Sequence, residues 1–186
     1  MGLSRAFQSI EMFEDLSLYD NLRVGAEVCI RVWARPGPRM LVGRRQPALP
    51  SACADAVEQF GLAGHLGGLP SELSYGQRRL ASIARALASD PKFILLDEPA
   101  AGLGQGDRVV LESFLRRLAD SYHLGVLLIE HDVPLVLAVC DSIVALDFGK
   151  VVATGPPEVI RRDPRVVESY IGRADDSAVI AAAGER

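Results

Sequence analysis

Cysteine is scarce in this sequence, and long apolar runs are absent. The three cysteines, Cys29, Cys53 and Cys140, are odd in number, widely spaced and outside any Cys-x-x-Cys pair. This pattern argues against a disulfide framework or a zinc site and predicts buried free thiols in a reducing compartment. The most apolar stretches, at 93–96, 126–129 and 133–139, fall far short of the roughly 20 residues that cross a bilayer. Any membrane role must therefore come through a partner.

The chain also has no strong excess of one charge. It carries 20 basic and 24 acidic side chains, a formal net charge of -4, so neither nucleic-acid binding nor a polybasic membrane surface is predicted. Glu11, Glu14 and Asp15 interrupt any basic-then-apolar signal-peptide pattern near the first residue. With 49% apolar residues among 186, the chain can bury a sizeable core. We expect a cytoplasmic protein.

A helix that begins near Ser74 is the clearest local element. Four apolar residues follow the i, i+3, i+4, i+7 spacing of one helical face, namely Leu80, Ile83, Ala84 and Leu87. On the same helix, three basic residues are expected to point mostly away from that face, namely Arg78, Arg79 and Arg85. Upstream, helical spacing at 18–28 and 52–60 flanks an irregular connection at 35–50, which is rich in proline, glycine and arginine.

Downstream of that helix, the pattern alternates between strand and helix. Strands are predicted at 1–8, 93–96, 126–129, 143–146 and 151–153. Helices are predicted at 107–122 and at 133–139, the second capped by Asp132. The runs at 93–96 and 126–129 are unbroken, which is typical of parallel strands covered on both faces. The fold class is therefore α/β with a mostly parallel sheet.

Asp97 and Glu98 directly follow the strand at 93–96. Open α/β sheets place ligands at the carboxyl ends of their strands, so a carboxylate there could hold Mg²⁺ directly or through water. The neighbouring glutamate could orient or deprotonate an attacking water. An isolated Asp-Glu pair more often only solvates a strand end.

The segment Leu73-Ser74-Tyr75-Gly76-Gln77 opens the helix described above. Ser74 and Gln77 have the spacing of a capping box, which by itself would only start a helix. A helix N-terminus with a glycine also presents free N–H groups and a positive dipole end, which suit a phosphate.

Two further polar residues are uninformative when taken singly. His131, in Ile129-Glu130-His131-Asp132, follows the second buried strand, and a lone histidine there is more often a structural donor. Gln8, in Arg5-Ala6-Phe7-Gln8, carries no signal alone.

Together and in this order, these segments resemble the ABC ATPase family over nearly the whole chain. Gln8 matches the Q-loop, 73–77 the family signature, 93–98 the Walker B strand with its glutamate, and His131 the switch histidine. Stretches at 5–8, 18–21, 98–103, 129–132 and 158–172 look most like importers of branched-chain amino acids. Urea or amide importers and the lipopolysaccharide-export ATPase are near neighbours.

The resemblance implies a P-loop NTPase core, incomplete in this sequence, with a helical lobe. Its parts would be a Q-loop remnant at 1–10, the lobe with the signature helix at 11–92, the core at 93–172 and a loose tail at 173–186. It implies ATP and Mg²⁺ as ligands, with Gln8 and Asp97 on the metal and Glu98 and His131 in catalysis. The implied partners are membrane permease subunits and a second nucleotide-binding subunit, which place the chain at the inner face of the plasma membrane.

No stretch of the sequence fits G-x-x-x-x-G-K-[ST], the loop that cradles phosphates. In the family this loop precedes the Q-loop, so the sequence predicts a truncation before Gln8 and no ATP hydrolysis by this chain alone. Family geometry sandwiches each ATP between the Walker and switch residues of one subunit and the signature of the other. Three alternatives stay open: a mis-started ATPase, a fragment that donates only its signature to a partner, and a non-functional remnant with poor solubility. Gly104 stands where many members carry aspartate or asparagine.

Overall fold

The computed structural model of the chain describes residues 2–7, 9–33 and 48–171, without the side chains of 27–33 and 171. It forms two compact units, Met1–Ile129 and Glu130–Arg186. The predicted tail at 173–186, most of the predicted connection at 35–50, and Gln8 lie outside the described residues. The predicted division into a core, a helical lobe and a tail stays a prediction.

Strands and helices alternate through the second half of the first unit, as expected. Its strands are β1 (Leu3–Ala6), β2 (Phe93–Asp97) and β3 (Gly125–Ile129). Its helices are α1 (Leu18–Trp33), α2 (Ser51–Gln59), α3 (Tyr75–Leu87) and α4 (Gln105–Asp120), with 3₁₀ turns at Ala63–His65 and Pro70–Glu72. The strands and helices predicted between 74 and 129 are confirmed. No helix in the described ranges is long and apolar enough to span a membrane.

The three strands form one parallel sheet in the order β1-β2-β3. In its register, Leu3 pairs with Phe93, and Phe93 pairs with Gly125. Helix α3 packs on β1 and β2, and α4 packs on β3. Ile94 and Leu96 are fully buried, so the helices cover one face of the central strand. Because the strands are parallel, their carboxyl ends lie at one edge of the sheet.

The opposite face of this sheet is exposed among the described residues. Leu3, Phe93 and Leu127 are 64, 60 and 58% exposed. The expectation that both faces of the strands are covered is therefore wrong for the part of the chain that the structure describes. Both packed helices lie on one side of the sheet, so every second side chain of the apolar runs faces outward. Apolar surface of this kind favours association.

The helices of the first unit share an apolar core. Helix α3 packs against α1 and α2, and α2 also packs against α4. Phe60, which follows α2, meets Phe114 of α4 edge to face, with 4.7 Å between ring centroids. Cys53 of α2 is a free, buried thiol, and burial raises its pKa to about 12. The four apolar residues predicted to share one face of α3 are buried, namely Leu80, Ile83, Ala84 and Leu87.

The second unit centres on an antiparallel hairpin. Its elements are α5 (Val133–Val139), β4 (Ile143–Asp147), β5 (Lys150–Gly155), α6 (Pro157–Ile160), α7 (Pro164–Val166) and a π-helical turn (Val167–Ile171). The Asp132 side chain accepts from the Leu135 N–H at 3.2 Å, which confirms the predicted cap. Phe148 and Gly149 both have positive φ, 45° and 76°, as the two central residues of a tight hairpin turn require.

Candidate functional site

The two candidate carboxylates lie where β2 ends. Asp97 is the last residue of the strand, and the Glu98 N–H donates to the Ile129 carbonyl at 2.8 Å, one step beyond the ladder. Glu98 has a φ of 46°, a left-handed conformation that a non-glycine residue rarely adopts. Such strain persists only where surrounding bonds fix the backbone, and it is frequent at functional sites.

A basic side chain already accompanies the first of these carboxylates. Arg5 of β1 donates from Nη2 to Asp97 Oδ2 at 2.8 Å, and its guanidinium lies 4.5 Å from the centroid of the Phe7 ring. The side chains of Arg5 and Asp97 are 47 and 25% exposed, so solvent screens the pair and its stabilisation is about 1 kcal/mol or less. Asp97 is thus an accessible carboxylate with affinity for a positive charge.

The first turn of α3 is closed by a complete capping box. Ser74 Oγ accepts from the Gln77 N–H at 3.2 Å, and Gln77 Oε1 accepts from the Ser74 N–H at 2.9 Å. An α-helix leaves its first four N–H groups without intrahelical partners. The box satisfies two of them, those of Ser74 and Gln77, and the N–H groups of Tyr75 and Gly76 are the other two. Helix initiation and phosphate binding are therefore compatible at this turn.

This turn packs closely against the loop that follows β2 and against the first turn of α4. A side chain on Gly76 would meet Asp107 Oδ2 at 2.6 Å, and one on Gly102 would meet the Tyr75 ring at 2.5 Å. Gly102 also has a φ of 73°, so glycine is required there by both conformation and space. The Gln77 amide lies 3.2 Å from a ring nitrogen of His65.

Arg79 was expected to point mostly away from the apolar face of α3, but the structure shows that it is buried. The side chain is buried, with 1% of the residue exposed. Its Nη1 donates to the Phe7 carbonyl at 3.0 Å, and its Nη2 donates to the carbonyls of Asp97, at 2.8 Å, and Glu98. Its Nε donates to the Pro99 carbonyl at 3.4 Å. The helical spacing of Arg79, Ile83 and Ala86, i, i+4 and i+7, is the sequence signal that places it on a buried face.

The other two predicted site residues, His131 and Gln8, are not among the described residues of the first unit. His131 lies in the second unit, its side chain 73% exposed, and its backbone N–H donates to the Glu130 carboxylate at 3.2 Å. Gln8 lies outside the described residues. The structure thus brings together Asp97, Glu98 and the start of α3 within the first unit.

The donor set suits the metal of a nucleotide better than a dedicated metal cage. Among the described residues, no group of three or more His, Cys, Asp or Glu side chains could hold a metal ion. Magnesium commonly takes one or two carboxylates and completes its shell with substrate phosphates and water. A single, partly exposed carboxylate such as Asp97 fits that pattern.

Comparisons with known proteins agree on one family. Residues 2–101 match the family described as ABC transporter, and residues 150–176 match the branched-chain amino acid ATP-binding cassette transporter family. The chain is 33% identical over 176 residues to the high-affinity branched-chain amino acid transport ATP-binding protein LivG of Salmonella typhimurium, covering 94% of this chain and 69% of that protein. It is 35% identical over 173 residues to the lipopolysaccharide export system ATP-binding protein LptB of Haemophilus influenzae, covering 92% of this chain and 66% of that protein.

Solved structures agree with the fold. An ATP-binding cassette of an ABC transporter in its ADP conformation superposes with a TM-score of 0.65 at 28% sequence identity. The alignment covers 92% of this chain and 68% of that chain. The chain therefore spans about two thirds of the length of the proteins it resembles.

Proposed function

The chain belongs to the ABC transporter family, and from this premise we propose that it is the ATP-binding subunit of an importer for branched-chain amino acids. In this role it pairs with a second nucleotide-binding subunit and works on membrane permease subunits at the inner face of the plasma membrane. The observation that carries the proposal is the joining of two candidate site elements, because Arg79 bonds the strand end at Asp97 and Glu98 to the helix that starts at Ser74.

The start of α3 is the part best suited to a nucleotide held by the partner subunit. The two N–H groups that the capping box leaves, those of Tyr75 and Gly76, point out of a helix end with a partial positive charge. Residues 73–77 would therefore bind the terminal phosphate of an ATP whose other contacts come from the second subunit.

The strand end supplies groups for a nucleotide of the chain's own. Asp97, with Gln8, would hold Mg²⁺, Glu98 would accept a proton from water, and His131 would contact the terminal phosphate. When bound, Mg²⁺ neutralises charge on the transferred phosphoryl group. Positioning and charge stabilisation of this kind supply most of the catalysis of phosphoryl transfer.

A second candidate function is that the chain only donates its signature. No stretch of the 186 residues fits the phosphate-binding loop G-x-x-x-x-G-K-[ST], so Asp97 and Glu98 have no such loop beside them within this sequence. In that case the chain would complete a partner's site through residues 73–77, while its own carboxylates would not act.

Branched-chain amino acids are the favoured solutes because a relative over the whole chain and a family model at its C-terminal part both point to them. The LivG match covers 94% of the chain, and residues 150–176 match the branched-chain cassette family by themselves. The match to LptB has similar identity and covers 66% of that protein. Uptake of labelled leucine by cells that lack and regain this gene, with lipopolysaccharide transport as the comparison, tests the choice of solute.

The role of the chain is tested by mixing it with a full-length cassette relative and measuring Mg·ATP hydrolysis. We expect no hydrolysis by the chain alone and a gain in the mixture over the relative alone. Gly76→Asp should abolish that gain, because the new side chain would meet Asp107 Oδ2 and would place a second carboxylate at the helix start that is proposed to hold the phosphate. Glu112→Gln, on an exposed part of α4, is the control and should leave the gain unchanged.

Glu98→Gln separates the two candidate functions. If the variant abolishes the gain in the mixture, the chain contributes a catalytic carboxylate of its own. If the gain survives Glu98→Gln but not Gly76→Asp, the chain only donates its signature. If the chain shows no ATP binding and gives no gain in the mixture, both candidate functions are contradicted.

A further inference from the structure

Arg79 joins three separate stretches of the first unit. It belongs to the second turn of α3, and its guanidinium donates to the carbonyl of Phe7, just after β1, and to carbonyls of the loop that follows β2. The side chain is 1% exposed. Burial of a charged group is costly unless hydrogen bonds compensate it, so these bonds must be kept for the folded state to hold the guanidinium there.

The loop that Arg79 holds is also strained. Glu98 has a φ of 46°, and its carbonyl accepts both from Arg79 and from the Ala101 N–H, the latter at 3.1 Å. A left-handed non-glycine residue costs about 1–3 kcal/mol and persists only where neighbours fix it. Arg79 and Ala101 both donate to this carbonyl and so help to fix it.

The chemistry of the side chain explains why an arginine stands here. The planar fork of the guanidinium directs five N–H donors in fixed directions, which allows bonds to carbonyls on different sides. A lysine ammonium is a single point charge and cannot reach the carbonyls of Phe7 and Pro99 together with those of Asp97 and Glu98. Gly102 of this loop also lies close to Tyr75 of α3, since a Cβ on Gly102 would stand 2.5 Å from the Tyr75 ring.

We propose that Arg79 is a positioning residue that fixes the start of α3 to the strand-end loop at 97–99. Through it, the backbone of Glu98 keeps its left-handed conformation, and the signature turn at 73–77 keeps a constant position relative to that loop. The proposal deepens the proposed function, on which its catalytic consequence rests. Its structural part, the local restraint of the loop, stands without any nucleotide.

Amide hydrogen exchange on the whole chain tests the restraint directly. In Arg79→Gln, we expect the amides of Ala101 and Leu103, which bond within the loop, to exchange at least tenfold faster. Amides of β3 should change less than threefold, because a positioning role is local. In Arg79→Lys, which keeps the charge and most of the alkyl chain, the same amides should also exchange faster. Arg117→Gln is the matched control, since Arg117 is half exposed and pairs with Asp55 at 3.5 Å, away from this loop in sequence.

The outcomes separate a local restraint from general stability. A uniform rise in exchange over loop, helices and β3 would overturn the proposal and leave Arg79 as a general core residue. Unchanged exchange at Ala101 in both variants would also overturn it. If Arg79→Gln fails to fold, the Arg79→Lys result alone decides.

Hydrolysis in the mixture with a full-length cassette gives the catalytic consequence. Arg79→Gln should lower kcat at least tenfold and leave the KM for ATP within twofold, because the residue positions groups and does not touch the nucleotide. An unchanged kcat together with faster loop exchange would overturn the catalytic consequence. If the unaltered chain gives no gain in the mixture, the proposed function fails, while the exchange result still tests the restraint.

Discussion

Replacing Ser74 by alanine should lower the free energy of unfolding by the stabilisation that its side chain contributes to the capping box of α3. The change removes the acceptor of the Gln77 N–H, a bond of 3.2 Å, and leaves the reciprocal bond from the Ser74 N–H to Gln77 Oε1 at 2.9 Å. Loss of an N-cap side chain costs about 1 kcal/mol. In a protein of this size, such a loss lowers the melting temperature by about 2–4 °C.

The assay is urea unfolding of the variant beside a matched control. Ser113→Ala removes another serine hydroxyl, which donates to the Val110 carbonyl at 2.9 Å on α4. Because alanine is the better helix former by about 0.5 kcal/mol, this control should be neutral or slightly stabilising. The reasoning is refuted if the two variants have the same free energy of unfolding, since the hydroxyl of Ser74 would then cap nothing. A double variant with Gln77→Ala should show a coupling energy of about 0.5 kcal/mol or more if the two bonds act as a unit.

Three further changes give separate expectations. Gly102→Ala should lower the free energy of unfolding by about 1–3 kcal/mol, because φ is 73° and the new methyl would meet the Tyr75 ring at 2.5 Å. Its control is Gly106→Ala, in the first turn of α4 with open space around it, which should raise the free energy of unfolding by about 0.5–1 kcal/mol. Equal effects of the two variants in thermal melts would contradict the argument. Gly104→Asp should raise the free energy of unfolding by a few tenths of a kcal/mol, because Gly104 is the N-cap residue of α4, has no side chain to cap the helix, and has room for one. A loss of stability would show that the loop needs glycine. Burial raises the pKa of the Cys53 thiol from 9.0 to about 12, so the thiol loses its proton at lower pH in the unfolded chain than in the folded one. The free energy of unfolding should therefore fall by about 1.4 kcal/mol per pH unit above pH 9. In Cys53→Ala, urea unfolding between pH 8.5 and 10.5 should no longer show this contribution to the pH dependence.

Local pattern was sufficient for the elements around the site. The apolar runs at 93–96 and 126–129 became β2 and β3, and the spacing of Ser74 and Gln77 became a capping box with both bonds formed. These features depend on residues within a few positions of each other, so the sequence displays their cause. The family assignment was confirmed for a similar reason, because it rests on several short motifs in a fixed order.

The features that were missed depend on distant residues. The carbonyl partners of Arg79 lie 18 to 72 positions away, and no local pattern shows that a charged side chain will meet them. The left-handed conformation of Glu98 likewise follows from the bonds around it. The exposed face of the sheet was missed because an unbroken apolar run shows that a strand can be covered on both sides. It does not show which helices cover it.

The hydrogen bonds of Arg79 are accepted by main-chain carbonyl oxygens. Variants can therefore test the position of the loop and the side-chain chemistry of Glu98 separately. Glu98→Gln replaces a carboxylate and keeps the carbonyl of residue 98, so the bond from Arg79 is retained. Arg79→Gln keeps the carboxylate and removes the restraint on the backbone that carries it. If the proposed role of Glu98 holds, a loss of activity with Glu98→Gln reports on proton transfer, whereas a loss with Arg79→Gln reports on placement. If the two variants had the same exchange pattern at Ala101 and Leu103, the glutamate side chain would itself be holding the loop, and this separation would be wrong.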